Sequence, residues 1–287
     1  MSRAFVPMAE RERAAFQDHY LRYLKERDGH ADLKTRTFER REAFFAEVTA
    51  AKASGKSPID AEAFARNLGR CEPEPGLNDA TLWALAVAKG NRAERMGVET
   101  KLAAKGFEKA GDDDPLTYVE IQEIYHTRQL LHVLRLVGVP CEIGLPVGSI
   151  TRTGIKFMAR APRPMLEVLA LGFEVVGVSA FALLRAEASR LFSGDPNIGL
   201  IDKLFAQILV DEVGHVEFLR SRMGRRRLAL SRALVPFAKR SLFDDNREMR
   251  MLLERHGGLA NVEQTDVHGF VANEPDRLRM PGPAQRG

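Results

Sequence analysis

Two Glu-x-x-His repeats, each set inside an apolar run, constrain this 287-residue chain more than any other feature. The first lies in Ile121–Leu131 and carries Glu123 and His126; the second lies in Ile208–Leu219 and carries Glu212 and His215. Residues three apart fall on one face of an α-helix, so each repeat aims a carboxylate and an imidazole in nearly the same direction. A single such repeat often arises by chance as a solvated surface pair. Two of them, turned toward each other, make a cation site.

A third segment strengthens that expectation. Val168–Leu184 is apolar or small throughout apart from Ser179 and one charge, Glu174. An ionised carboxylate left alone in such surroundings costs several kcal/mol, so a compensating cation is expected there. A fourth carboxylate is sought in Ala80–Phe107, which offers Glu94 and Glu99. Glu94 is preferred, because its helical neighbours Trp83, Val87, Gly90, Gly97 and Val98 are apolar or small, whereas Glu99 shares its face with Arg92 and Arg95. Glu94, Glu123, Glu174 and Glu212 carry four negative charges while His126 and His215 are neutral as ligands, so two divalent cations balance the set. Without metal, the clustered carboxylates would have to take up protons.

One Glu from each of two helices and a Glu-x-x-His from each of two others resembles the ferritin-like di-metal carboxylate superfamily. That group includes rubrerythrins, ribonucleotide reductase small subunits and several oxygenases. The resemblance covers about residues 77 to 224 and implies an all-α, ferritin-like four-helix bundle, two helical hairpins joined by a long crossover, with extra N- and C-terminal helices. It implies metal ligation by Glu94, Glu123, His126, Glu174, Glu212 and His215. It also implies that Asp211 bonds the non-ligating nitrogen of His126, with Gln122 doing the same for His215. Leu130 stands where the reductase subunits carry a radical tyrosine, and Ile208 where arylamine N-oxygenases carry a third histidine. The chemistry implied is reduction of dioxygen by two iron ions, with manganese or a mixed pair as alternatives, and oxidation or oxygenation of an organic small molecule. Electrons would come from a ferredoxin, flavoprotein or small reductant, since the chain has neither iron–sulfur spacing nor a dinucleotide fingerprint. Phe173, Val176, Gly177, Val178, Phe181, Ile208 and Leu209 are expected to line the pocket and exclude water. The alternative is a ferritin-like protein that binds, stores or senses iron without turnover.

The rest of the chain is organised around that bundle. Residues 1–76 are expected to form an N-terminal helical extension packed on its outside. In it, 9–50 reads as helix, Lys52–Pro58 as a loop, Ile59–Leu68 as a short helix, and Cys71–Gly76 as a rigid connector. The first bundle helix, capped by Asn78 or Asp79, is expected to run to about Ala110. The second starts with Asp114 as N-cap and Pro115 at its first position, and ends near Gly138. Val139–Pro164 holds too many breakers for a helix and is read as the crossover. Helix three covers about Pro164–Phe192, and helix four follows the Ser193–Pro196 turn and stops at Gly224. Residues 225–256 read as basic amphipathic helices, and 257–287 as an irregular or disordered tail. Tyr125 is expected to point away from Glu123 and His126, and His19, His30, His132, His256 and His268 lack partners at ligand spacing.

Composition sets outer limits. Two cysteines, Cys71 and Cys141, without paired spacing suggest free thiols, and an N-terminus without an apolar run suggests a cytoplasmic protein. No segment reads as membrane-spanning, because the longest apolar run falls short of about twenty residues and carries Glu174. The net charge is only +4, but Arg225, Arg226, Arg227, Arg232, Lys239, Arg240, Arg247, Arg250 and Arg255 gather late. They read as a solvated face or, alternatively, as a contact for an acidic protein or a membrane surface. No nucleic-acid partner is expected, and the expected assembly is a homodimer.

Overall fold

The computed structural model of the chain describes residues 3–55, 57–103, 114–139, 161–258, 267–276 and 280. Among these the chain is helical, with one two-stranded hairpin. Four long helices form the centre: α4 (Asp79–Ala103), α5 (Pro115–Leu136), α6 (Arg163–Leu191) and α7 (Ile198–Ser221). α4 packs on α5 and α6 on α7, while α5 against α7 and α4 against α6 join the two pairs. The crossover expected over 139–164 and the turn expected over 111–115 lie largely outside the described residues, as do Cys141 and the last residues of the tail.

The helix starts follow local chemistry. Asn78 accepts the Thr81 N–H at 2.8 Å ahead of α4. Asp114 accepts the Leu116 N–H at 2.9 Å, and Pro115, which has no N–H to satisfy, occupies the first position of α5. Inside the bundle Trp83 is fully buried, donates its indole N–H to the Leu184 carbonyl at 2.9 Å and packs edge-on against Phe192 and Phe205. It ties α4 to α6.

The N-terminal extension differs from the single helical stretch expected over 9–50. It is α1 (Glu10–Asp28), a short hairpin pairing β1 (Ala31–Asp32) with β2 (Thr37–Phe38), and α2 (Glu39–Ala50). The break is at Gly29, whose φ of +81° suits glycine, and the chain turns back there. α3 (Ala61–Asn67), capped by Asp60, completes the extension. Phe16, Tyr20, Tyr23, Phe38 and Phe45 are all buried. At about 2 kcal/mol for each large apolar side chain buried, these residues supply the docking energy. Ion pairs at the same interface contribute less, because desolvation offsets most of their attraction. α1 reaches α7 where Gly214 leaves room: a Cβ there would stand 2.6 Å from the Tyr20 hydroxyl oxygen.

After the bundle come α8 (Arg225–Asp245), with Pro236 inside it, and α9 (Arg247–Arg255). A buried ion pair from Lys89 to Glu248, 2.7 Å long, holds α9 against α4. The described part of the tail includes a 3-10 turn at Gly269–Val271 and is anchored to the rest of the fold. Val267, Val271 and Met280 are buried, and Glu274 accepts from Arg185 at 2.8 Å. By length and apolarity α6 is sufficient to cross a bilayer, contrary to the reading of its sequence, yet half of its apolar window is buried in this fold.

Candidate metal centre

The six expected ligands converge between the helix pairs. α4 contributes Glu94, α5 Glu123 and His126, α6 Glu174, and α7 Glu212 and His215. They form two groups that share Glu123: Glu94, Glu123, His126 and Glu212 in one, and Glu123, Glu174 and His215 in the other. Within each group one donor atom per residue lies within 4.8 Å of the others.

The donor atoms are already aimed. His126 Nδ1 stands 3.0 Å from Glu212 Oε1 and 3.4 Å from Glu94 Oε2; His215 Nδ1 stands 3.4 Å from Glu123 Oε1 and 3.7 Å from Glu174 Oε2. Both Nδ1 atoms are buried, and neither forms a hydrogen bond of acceptable geometry. The rings tilt by 31° at a centroid distance of 5.7 Å. Each Nδ1 thus meets carboxylate oxygens at ion-pair distance, and a shared cation could bridge such contacts. Buried groups of imidazoles and carboxylates suit a divalent metal ion, which would take the place of the protons held between them.

Electrostatics point the same way. Burial first, and then the neighbouring carboxylates Glu123 and Glu174, push Glu94 up to about 7, against a pull downward from His126. Burial followed by Glu174 holds Glu212 well above the usual carboxylate range. Burial disfavours charge on His126, but Asp211, Glu212 and Glu94 more than offset it and hold its pKa well above the ordinary value. The group thus carries repulsion that a cation would relieve.

The opposite nitrogens are fixed from behind. Asp211 Oδ2 lies 3.1 Å from His126 Nε2, and Gln122 Oε1 lies 2.9 Å from His215 Nε2. An acceptor at Nε2 keeps the proton there and turns the Nδ1 lone pair toward the carboxylates. Sequence reasoning missed what lies behind these two residues. Arg41 holds Asp211 in a bidentate pair at 2.7 Å for each bond, and Arg27 also donates to it. Asp28 accepts from Arg27 at 2.9 Å, from Arg41 at 2.9 Å and from the Gln122 side-chain amide at 2.8 Å. Burial would raise the pKa of both aspartates; Arg27 and Arg41 outweigh it and keep Asp211 well below, and Asp28 below, the ordinary value. One signal was available. Asp211 sits in an apolar run and needs a cation, and Arg27 and Arg41 each lie within a turn of a buried aromatic residue, Tyr23 and Phe45.

Val178, Phe181, Ile208 and Leu209 are buried, and Gly177 faces the cluster, with its Cβ position 3.8 Å from Glu212 Oε2. Phe173 does not line the site: it is 40 % exposed and turned toward Phe237. One residue before Glu174 is about 100° around the helix, which places it on an outer face. Tyr125 points away as expected, accepting the Phe38 N–H at 2.9 Å and donating to Glu42. His19 and His30 are exposed, His132 stacks on Phe45, and His256 and His268 pair with Asp79 and Glu217. No protein-family model matches the chain, and comparison with curated proteins and with solved structures finds no match.

Proposed function

We propose that this protein is a ferritin-like di-iron oxidoreductase that uses dioxygen to oxidise or oxygenate an organic small molecule, drawing electrons from an external ferredoxin, flavoprotein or small reductant. The observation that carries this reading is the convergence of two buried imidazoles with four carboxylates in two groups that share Glu123. Each helix pair supplies one Glu and one Glu-x-x-His, the arrangement of di-metal carboxylate bundles.

His126, Glu94 and Glu212 would hold one ion, His215 and Glu174 the other, and Glu123 stands between the two groups. Bound iron supplies the redox equivalents and Lewis acidity for reducing dioxygen. The protein's part is positioning and exclusion. Asp211 and Gln122 orient the imidazoles, and the lack of a side chain at Gly177 keeps α6 from contacting Glu212 Oε2 there. Val178, Phe181, Ile208 and Leu209 are buried on α6 and α7, which carry Glu174 and Glu212, and would help to keep water from the reacting atoms.

Anaerobic titration of the purified chain with ferrous iron, followed by exposure to oxygen, tests the reading. Two iron ions per chain and oxygen uptake are expected, with metal binding abolished in Glu123→Ala and His215→Ala. A chain that binds no iron, or either variant retaining two ions, overturns it. Iron held without oxygen uptake makes the protein an iron-binding one instead of an enzyme.

A further inference from the structure

Nothing in the carboxylate cluster uses α8, yet its outward face has a character of its own. Arg226, Leu230, Ala233, Phe237 and Arg240 lie on one helical stripe, and all are exposed. Leu230 is 55 % exposed and Phe237 58 %. Across the seam with α6, Phe173 sets its ring edge-on to Phe237 at a centroid distance of 6.4 Å, and Met165 is also exposed. Beside that stripe, Arg225, Ala229 and Arg232 meet Phe5 and Val6 around an open groove of about 570 Å³.

Charge separates this face from its surroundings. Arg222 and Arg227, close by, are both held by Glu167, at 2.7 and 3.0 Å. Arg225, Arg226 and Arg232 have no carboxylate partner among the described residues. Arg240 reaches Asp244 only at 3.5 Å, with both side chains mostly in water. Leucine and phenylalanine exposed among unpaired arginines are the composition of a helix lying in a membrane interface. There the apolar side chains enter the acyl boundary and the cations meet lipid phosphate.

Other occupants fit less well. A twofold contact between copies would set one strongly basic face against another, with only Asp244 and Asp245 at the end of α8 to offset Arg225, Arg226 and Arg232. Nucleic acid would engage the arginines but leave Leu230 and Phe237 without a role. We propose that the exposed face of α8, together with Phe173 and Met165 of α6, docks this protein on an anionic lipid bilayer. The proposal does not depend on the metal reading. Because Phe173 precedes Glu174, the docked face backs onto the wall of the carboxylate cluster.

The test is co-sedimentation of the 287-residue chain with vesicles of phosphatidylcholine alone or with phosphatidylcholine containing phosphatidylglycerol. Binding is expected only to the anionic vesicles, falling steeply with added salt. Replacing Arg225, Arg226 and Arg232 together by Gln should weaken it roughly 100-fold. Leu230→Ser with Phe237→Ser should weaken it at least about tenfold while circular dichroism stays unchanged. As a second readout, Phe237→Trp should shift its emission to the blue on anionic vesicles, against the fixed background of buried Trp83. Equal binding to neutral vesicles, no binding to anionic ones, or an unshifted emission overturns the proposal. So does a concentration-dependent dimer abolished by the Ser variants in the absence of vesicle binding, which would assign the face to a second copy of the chain.

Discussion

The two histidines of the cluster present the same atom to the same kind of carboxylate set, but they are backed differently. Behind His126 stands a full negative charge, Asp211, clamped by Arg27 and Arg41. Behind His215 stands a neutral amide, Gln122, whose N–H is tied to Asp28. An anionic acceptor makes an imidazole a stronger donor than a neutral one does, so if each group holds a metal ion, as proposed, the two positions are unequal. The four-residue group with His126 should fill first and the three-residue group with His215 second. Both backings end on the same turn of α1, at Arg27 and Asp28. The extension that looked like an external layer is therefore part of the support of both histidines.

The contrast can be broken at its most charged point. Asp211→Ala leaves Arg27 and Arg41 buried with Asp28 as their remaining carboxylate, and should cost about 3–5 kcal/mol in urea denaturation. An effect under about 1 kcal/mol would mean that the arginines find water or another partner. Asp28→Asn should cost less, about 2–3 kcal/mol, because Asp211 still pairs both arginines. It should also loosen Gln122, which calorimetric titration would detect as weaker binding of the second metal ion alone. Gln122→Leu should separate the halves cleanly. Affinity at the His215 position should fall about 10–100-fold while that at the His126 position stays, so the titration reads one tight and one weak equivalent. The smallest effect is expected from Tyr23→Phe, which removes the acceptor that Arg27 Nη1 uses at 3.1 Å. It should lower stability by about 1 kcal/mol and leave metal stoichiometry unchanged.

What sequence disclosed, and what it withheld, follows from the range of each interaction. The convergence of these side chains was legible because helical periodicity turns short spacing into direction: Glu123 with His126, and Glu212 with His215, each fix one face. Glu174 could be found because an isolated carboxylate in an apolar run carries an energetic contradiction. Glu94 followed from the character of its neighbours and Asp211 from a family pattern; Gln122 departs from that pattern and was placed by analogy with Asp211. Arg41 was hidden because its partner Asp211 lies 170 residues away, and within its own helix it looks like a solvated charge. The hairpin over 31–38 was hidden because two residues per strand give no periodicity to read. Phe173 was misplaced because α6 is apolar all round, so hydrophobicity alone does not say which face turns inward.

The bare backbone at Gly214 has a mechanical meaning. The Tyr20 hydroxyl and the Met280 methyl both press on the space a side chain would take, one residue before His215. A single methyl group there would act as a wedge, levering α1 and the tail away from the bundle. Tyr20 and the Arg27–Asp28 turn ride on the same rigid rod, so a displacement begun at one would reach the backing of both imidazoles.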